Sequence, residues 1–267
     1  MLAVVDIGNT NTVFGIYDKS ELLTTFRLSS RRDSTIDEYA LIIQGLLRLH
    51  HIDVAAIEAV CIASVVPSLG PVFETVVKTL FGVEPLVVGP GTKTGISICY
   101  ENTSEVGADR IVNAVAAHAK YSGHIIVIDF GTATTFDAVT ASGQYLGGAI
   151  VPGITMGLEA LSIRTARLPM VSFARPEAVI GRNTVSSIQS GAFWGQVSMV
   201  EGLTTRMKLE FDGPVLVIAT GGLAPLICGE CSFIDHMDSN LTMEGLRLIW
   251  EKNRIGVNFY RGKTEKN

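Results

Sequence analysis

The sequence predicts an α/β protein built from two similar lobes, each a mixed β-sheet flanked by helices. Three observations point there. An apolar strand runs into an acidic, glycine-bearing corner twice, in "MLAVVDIGNTNTVFGIYD" and again in "HIIVIDFGTATTFDAVT". The pattern around both corners follows one succession, β-β-β-α-β-α-β. Hydrophobic residues make up 47% of the chain and charged residues only 18%, against roughly 25% charged in an average soluble domain. That balance calls for much buried surface, some of it between subunits.

Taken in order, the first strand ends at Asp6. "TVFGIYDKSELLTTFRL" then reads as strand, tight turn at Asp18, Lys19 and Ser20, and strand. "STIDEYALIIQGLLRLH" opens with Ser/Thr cap candidates and lines up Ile36, Tyr39, Ile43, Leu46 and Leu47 on one helical face. "EAVCIASVVP" is a buried strand and "EPLVVG" a short one. "SEVGADRIVNAVAAHAKY" reads as a loop entering an alanine-rich connecting helix.

The second half repeats the plan. "TTFDAVTASGQYLGGAIV" is strand, turn from Ala141 to Gln144, and strand, and "GITMGLEALSIRTARL" is helical in its middle. The stretch "NTVSSIQSGAFWGQVSMVEGLTTRMKLE" is a long helix weakened by Gly191, Gly195 and Gly202. Gly191 and Gly195, beside Phe193 and Trp194, permit close helix approach, either at a subunit interface or inside the fold. "PVLVIATGGLAP" is the second buried strand. The expected boundaries are 1–115 for the N-terminal lobe, 116–254 for the C-terminal lobe with its dimerisation helix, and 255–267 for a tail.

The formal net charge of −5 carries no general nucleic-acid footprint. No apolar run approaches the ~18 residues of a membrane span, and no basic segment precedes an apolar one at the N-terminus. A cytoplasmic protein without a membrane partner is expected. Cys228 and Cys231 form a CxxC, but Cys61 and Cys99 stand apart from it, so incidental thiols are favoured over a zinc or redox site. His50 and His51 end a helix, where a cation suits the dipole. His118, His124 and His236 are given no role.

The corners carry the chemistry. Gly8 lets the backbone turn sharply and lets a ligand oxygen approach its N–H. Asn9, Thr10, Asn11 and Thr12 surround that turn with donors, and successive turn N–H groups can cradle an anion. Asp6, at a strand end, can hold a hydrated Mg²⁺ through one carboxylate oxygen. Asp129, Gly131, Thr132 and Thr134 repeat the arrangement, and two such corners facing each other would grip a polyphosphate and its cation. Gly221 and Gly222 of "ATGGLAP" could let backbone pack against a nucleoside. "VVGPGTKTG" lacks the Gly-Lys-Ser/Thr ending of a P-loop and reads as a turn.

A phosphoryl transferase also needs a group to take the acceptor's proton. Asp109, at the start of the connecting helix, can do so, and Arg110 can pair a substrate carboxylate. The alternative is that Asp109 caps the helix and Arg110 makes a surface ion pair.

The segments "DIGNTNTVFGIY", "GADRIVNA", "DFGTATTFD", "GGAIVPGI", "GRNTVSSIQSG" and "ATGGLAP" closely resemble those of type III pantothenate kinases. That family lies in the actin-like ATPase and sugar-kinase superfamily, and the resemblance runs from about residue 1 to 254. It implies duplicated ribonuclease H-like lobes with an ATP cleft between them. It also implies ATP-dependent phosphorylation of pantothenate to 4′-phosphopantothenate, the entry step of coenzyme A synthesis.

The implied cofactors are ATP as co-substrate, Mg²⁺ or another divalent ion, and K⁺ or NH₄⁺. By resemblance, Asp6, Ile7, Gly8, Asn9, Thr10, Asn11, Thr12 and Val13 hold ATP, with Asp6 near the divalent metal. Thr132 contacts the nucleotide and Asp129 binds the monovalent cation. Tyr100, Gly107, Ala108, Asp109 and Arg110 contact pantothenate, with Asp109 as base. Thr184 reaches pantothenate in the partner's site of a homodimer.

Two rival readings share these corners. One is a different superfamily enzyme, a sugar kinase or an exopolyphosphatase. The other is an ATP-binding regulatory protein, against which the paired Asp109 and Arg110 argue.

Overall fold

A computed structural model describes residues 1–257, with side chains through Arg254. The chain divides into two compact units. The first comprises Met1–Ile96, Glu101–Ala116 and the chain from Thr242, and the second comprises Ser97–Tyr100 and Ala117–Leu241.

The first unit holds a sheet of five strands: β1 (Leu2–Ile7), β2 (Asn11–Asp18), β3 (Glu21–Ser29), β4 (Ala59–Ser64) and β5 (Leu86–Val87). Their order is β3-β2-β1-β4-β5. β1 is antiparallel to β2 and parallel to β4, so Asp6 lies opposite Val13 on one side and Ala63 on the other. The β2–β3 turn is Lys19–Ser20, with Lys19 at φ 53°.

α1 (Ile36–Leu49) begins as its sequence predicts. Thr35 is its N-cap, accepting from the Glu38 N–H while the Glu38 carboxylate takes the Thr35 N–H. Tyr39, Ile43 and Leu47 are buried on its inner face, and Ile36 and Leu46 pack partly buried on the same core. That core includes α2 (Gly70–Phe81) through Phe73, whose ring centroid is 4.7 Å from that of Tyr39. Burying each such aromatic contributes about 1.5–3 kcal/mol.

α3 (Ala108–Lys120) follows, and α7 (Leu241–Val257) packs against its N-terminal half within this unit. The packing is close because α7 offers a glycine: a Cβ on Gly245 would stand 2.1 Å from the carbonyl oxygen of Val112. Thr242 adds a hydrogen bond of 2.7 Å to Asn113. The sequence reading grouped α7 with residues 116–254. The tail expected over 255–267 lies outside the described side chains.

The second unit holds six strands: β6 (Ser97–Ile98), β7 (His124–Phe130), β8 (Ala133–Val139), β9 (Gln144–Pro152), β10 (Val215–Thr220) and β11 (His236–Met237). Their order is β11-β10-β7-β8-β9-β6. Its helices are α4 (Ile154–Arg164), α5 (Thr184–Lys208) and α6 (Ala224–Cys228). The first unit shows the expected succession, and the second departs from it in two ways: two helices, α4 and α5, separate β9 from β10, and β6 is an addition that the sequence pattern does not reveal. Its two residues pair in parallel with Gln144 and Tyr145 and carry no periodicity.

The repeat is not uniform at its turns. Asp6 lies opposite Val13, whereas Asp129 lies opposite Thr135, so the second corner is one residue tighter. Among the described residues, no helix is long and apolar enough to cross a membrane.

Candidate active site

In the first unit, Asp6 is half-buried at the end of β1. The Gly8 N–H donates to the Asn11 carbonyl at 3.1 Å and closes the turn. Asn9, Thr10 and Asn11 are exposed on it. Ile7 and Thr12, however, have fully buried side chains. Ile7 belongs to the core, and the Thr12 hydroxyl lies 2.9 Å from that of Ser30. These two side chains hold the hairpin, and the exposed amides and hydroxyls of the corner belong to residues 9–11. Arg32, which sequence reasoning passed over, donates to Asn9 Oδ1 at 3.3 Å and puts a cation beside this turn. Its signal was the basic pair directly after β3.

Gly107, Asp109 and Arg110 stand at the same end of this sheet. The Val65 N–H donates to the Ile7 carbonyl at 3.1 Å, and a Cβ on Gly107 would lie 3.5 Å from Val65 Cγ1. Gly107 is the last residue before α3, and its carbonyl accepts from the Ile111 N–H at 3.3 Å. Asp109 sits in the first helical turn and takes the Arg110 N–H at 2.8 Å. Burial pushes its carboxyl above the usual carboxylate range, opposed by that amide and by the Arg110 charge. Arg110 is buried, which removes the surface-ion-pair alternative.

In the second unit, Asp129 is half-buried at the end of β7, opposite Thr135 on β8 and Thr220 on β10. The Gly131 N–H donates to the Ala133 carbonyl at 3.1 Å, leaving Thr132 exposed at the turn. Thr134 is fully buried, and its hydroxyl accepts from Gln196 Nε2 of α5 at 3.3 Å.

Gly221, at φ +95°, lies against this corner: a Cβ there would be 2.5 Å from Asp129 Oδ1 and 2.6 Å from the Phe130 nitrogen. Sequence reasoning treated the two glycines as one nucleoside-packing element. The structure separates them. Gly221 makes room for the Asp129 carboxylate, and Gly222 is exposed with open space at its Cβ position.

Tyr100 belongs to the second unit although it lies seven residues before Gly107 in the sequence. Its ring centroid is 6.4 Å from that of Tyr145. Thr184 is exposed as the first residue of α5, where Asn183 caps the helix through a 2.9 Å bond from the Ser186 N–H. It opens onto a cavity of about 460 Å³ shared with Leu161, Leu168, Ser187 and Ile188.

The remaining titratable candidates fall away. Burial raises the Cys228 thiol to about 11 and also raises Cys231, which makes poor nucleophiles of both. Among the described residues, no cluster of three or more His, Cys, Asp or Glu is arranged to hold a metal. The Asp6 carboxylate beside exposed amides still fits Mg²⁺, which takes one or two carboxylates and completes its shell with phosphate and water. Asp129 offers a carboxylate set close against the Gly221 backbone, an oxygen donor of the kind a monovalent cation takes.

Residues 2–206 match the family model described as type III pantothenate kinase. A curated relative of that name from Geobacter sulfurreducens is 51% identical over 254 residues, covering 95% of this chain and 100% of its own. Among solved structures, a Campylobacter jejuni protein assigned to the Baf family of transcriptional activators aligns with TM-score 0.58 and 20% identity. That alignment covers 95% of this chain and 99% of the other. A Sinorhizobium meliloti protein assigned as a 2-dehydro-3-deoxygalactonokinase aligns with TM-score 0.55 and 13% identity, covering 95% and 97%. At those identities the structures report fold alone, an α/β protein with two mixed sheets flanked by helices.

Proposed function

The chain belongs to the type III pantothenate kinase family, and we propose that it phosphorylates pantothenate from ATP with Asp109 as the acceptor's base. The reaction is the entry step of coenzyme A synthesis, and its product is 4′-phosphopantothenate. One observation carries the assignment of the base. The Asp109 carboxyl is desolvated, held by a helix-terminal amide, and set at the same sheet end as the Asp6 corner.

Asp109 takes the proton of the pantothenate 4′-hydroxyl as that oxygen attacks the γ-phosphorus, and the bond to the bridging oxygen breaks to release ADP. A raised carboxyl accepts that proton more readily than an ordinary one. Arg110, Tyr100, Gly107 and Ala108 bind pantothenate, the guanidinium facing its carboxylate. The amides and hydroxyls of Asn9, Thr10 and Asn11 receive the phosphates, while Ile7, Gly8, Thr12 and Val13 hold that turn in shape. Asp6 would hold Mg²⁺, which neutralises developing phosphate charge when bound. Thr132 and Gly222 contact the nucleotide, and Asp129 would hold K⁺ or NH₄⁺.

A homodimer belongs to the same reading, with Thr184 serving the partner's site in a cytoplasmic enzyme. The second unit supports it. Ile163 and Ile180 are 75% and 82% exposed, and Leu161, Met170, Val179 and Val185 are exposed with them. So much apolar surface on neighbouring segments marks an interaction face. Gly191 and Gly195 have nothing within 4 Å of their Cβ positions, so neither serves close packing inside the described unit.

A coupled ADP-release assay across acceptors tests the proposal. Turnover with pantothenate and none with hexoses is expected; turnover with a hexose and not with pantothenate would reject it.

A further inference from the structure

We propose that Tyr145, anchored by the buried carboxylate of Asp137, is a positioning residue that sets the place of Tyr100 and thereby the affinity for pantothenate. The inference rests on the assignment of Tyr100 to the pantothenate site. It adds residues that neither the corner pattern nor the family resemblance singled out.

Asp137 is fully buried in β8, flanked by Phe136 and Ala138. A carboxylate there is costly unless its oxygens are hydrogen-bonded, and an apolar residue would pack without that cost. Its oxygens are engaged: the Tyr145 hydroxyl donates to Oδ1 at 2.7 Å and the Thr135 hydroxyl to Oδ2 at 3.1 Å. The carboxylate therefore fixes the direction of the Tyr145 ring, which is itself wholly buried.

Tyr145 in turn holds the segment that carries Tyr100. Its carbonyl accepts from the Cys99 N–H at 2.8 Å, one residue before Tyr100. Its ring lies beside the Tyr100 ring at a 44° tilt. Gly147 completes the seat. Its φ of +116° excludes ordinary side chains, and a Cβ there would stand 3.1 Å from Tyr100 Cε2. Main-chain bond, ring contact and side-chain-free backbone thus converge on one aromatic residue, all within the second unit.

Steady-state kinetics on Tyr145→Phe, Tyr100→Ala and the double variant test this, with thermal melts as a fold control. Tyr145→Phe keeps the ring and loses only the anchor. Its KM for pantothenate is expected to rise roughly threefold to tenfold, the effect of one net hydrogen bond. The KM for ATP and kcat should stay unchanged. In the Tyr100→Ala background the same change should add nothing, because the two residues act as a unit.

A Tyr145→Phe enzyme with lowered melting temperature but unchanged KM for pantothenate would overturn the positioning role. So would a full additional effect on top of Tyr100→Ala. An unchanged KM in Tyr100→Ala itself would instead reject the assignment of Tyr100, and this inference with it.

Discussion

Gly107 leaves the space that the Asp109 carboxylate occupies: a Cβ on Gly107 would stand 2.5 Å from Oδ1. The glycine of "GADR" is therefore a condition for the rotamer of the aspartate two residues on. Gly107→Ala should push the carboxylate aside and lower kcat by ~10-fold to 10²-fold, the scale of an ångström of misplacement. The KM for ATP and the melting temperature should change little, which kinetics and a thermal melt would show together. Normal turnover would mean that the carboxylate's place does not matter.

The raised carboxyl of Asp109 also makes a stability prediction. Folding binds the proton more tightly than the unfolded chain does, so the native state is favoured at low pH. That advantage is lost as pH rises from the unfolded value through the raised folded value. Melting temperatures of the wild type and Asp109→Asn across pH should therefore diverge on raising the pH through that window, with the variant the more stable above it. A pH-independent difference would contradict the desolvated environment.

At Gly221 the close neighbour is Asp129. Gly221→Ala should disturb the proposed cation site first, so more potassium should be needed for half-maximal activity. The variant should also lose about 1 kcal/mol or more of stability, because alanine at φ +95° is strained. A potassium titration at saturating ATP and pantothenate reads the first effect, and denaturant unfolding reads the second. An unshifted potassium requirement would detach Asp129 from the cation.

The proposed sharing of the site between protomers can be tested by subunit mixing. Asp109→Asn and Thr184→Ala enzymes should each be nearly inactive alone. Dissociated and reassembled together, they should recover about a quarter of wild-type sites, since each mixed dimer contains one intact combination. No recovery, in a mixture shown to contain mixed dimers, would place Thr184 in its own protomer's site or in none.

Much of the architecture was legible because it rests on periodicity. The strand ending in Asp6, the Thr35 cap and the Tyr39–Ile43–Leu47 face all follow from apolar spacing and capping chemistry. What stayed hidden depends on direction and distance. Nothing in "DIGNTNTV" says that the Thr12 hydroxyl turns inward to Ser30 while Asn9 and Asn11 face out. Nothing in "ATGG" distinguishes Gly221, pressed on a carboxylate, from Gly222, which is open. The pairing of β6 with β9 and the seating of α7 on α3 through Gly245 are likewise long-range contacts that local pattern does not encode.

The central claim is that Asp109 takes the proton from pantothenate. Turnover and pantothenate binding measured on the same preparation of Asp109→Asn test it most directly. Calorimetric affinities for ATP and pantothenate should stay close to wild type while kcat falls ~10²-fold or more. Wild-type turnover by that variant would contradict the account.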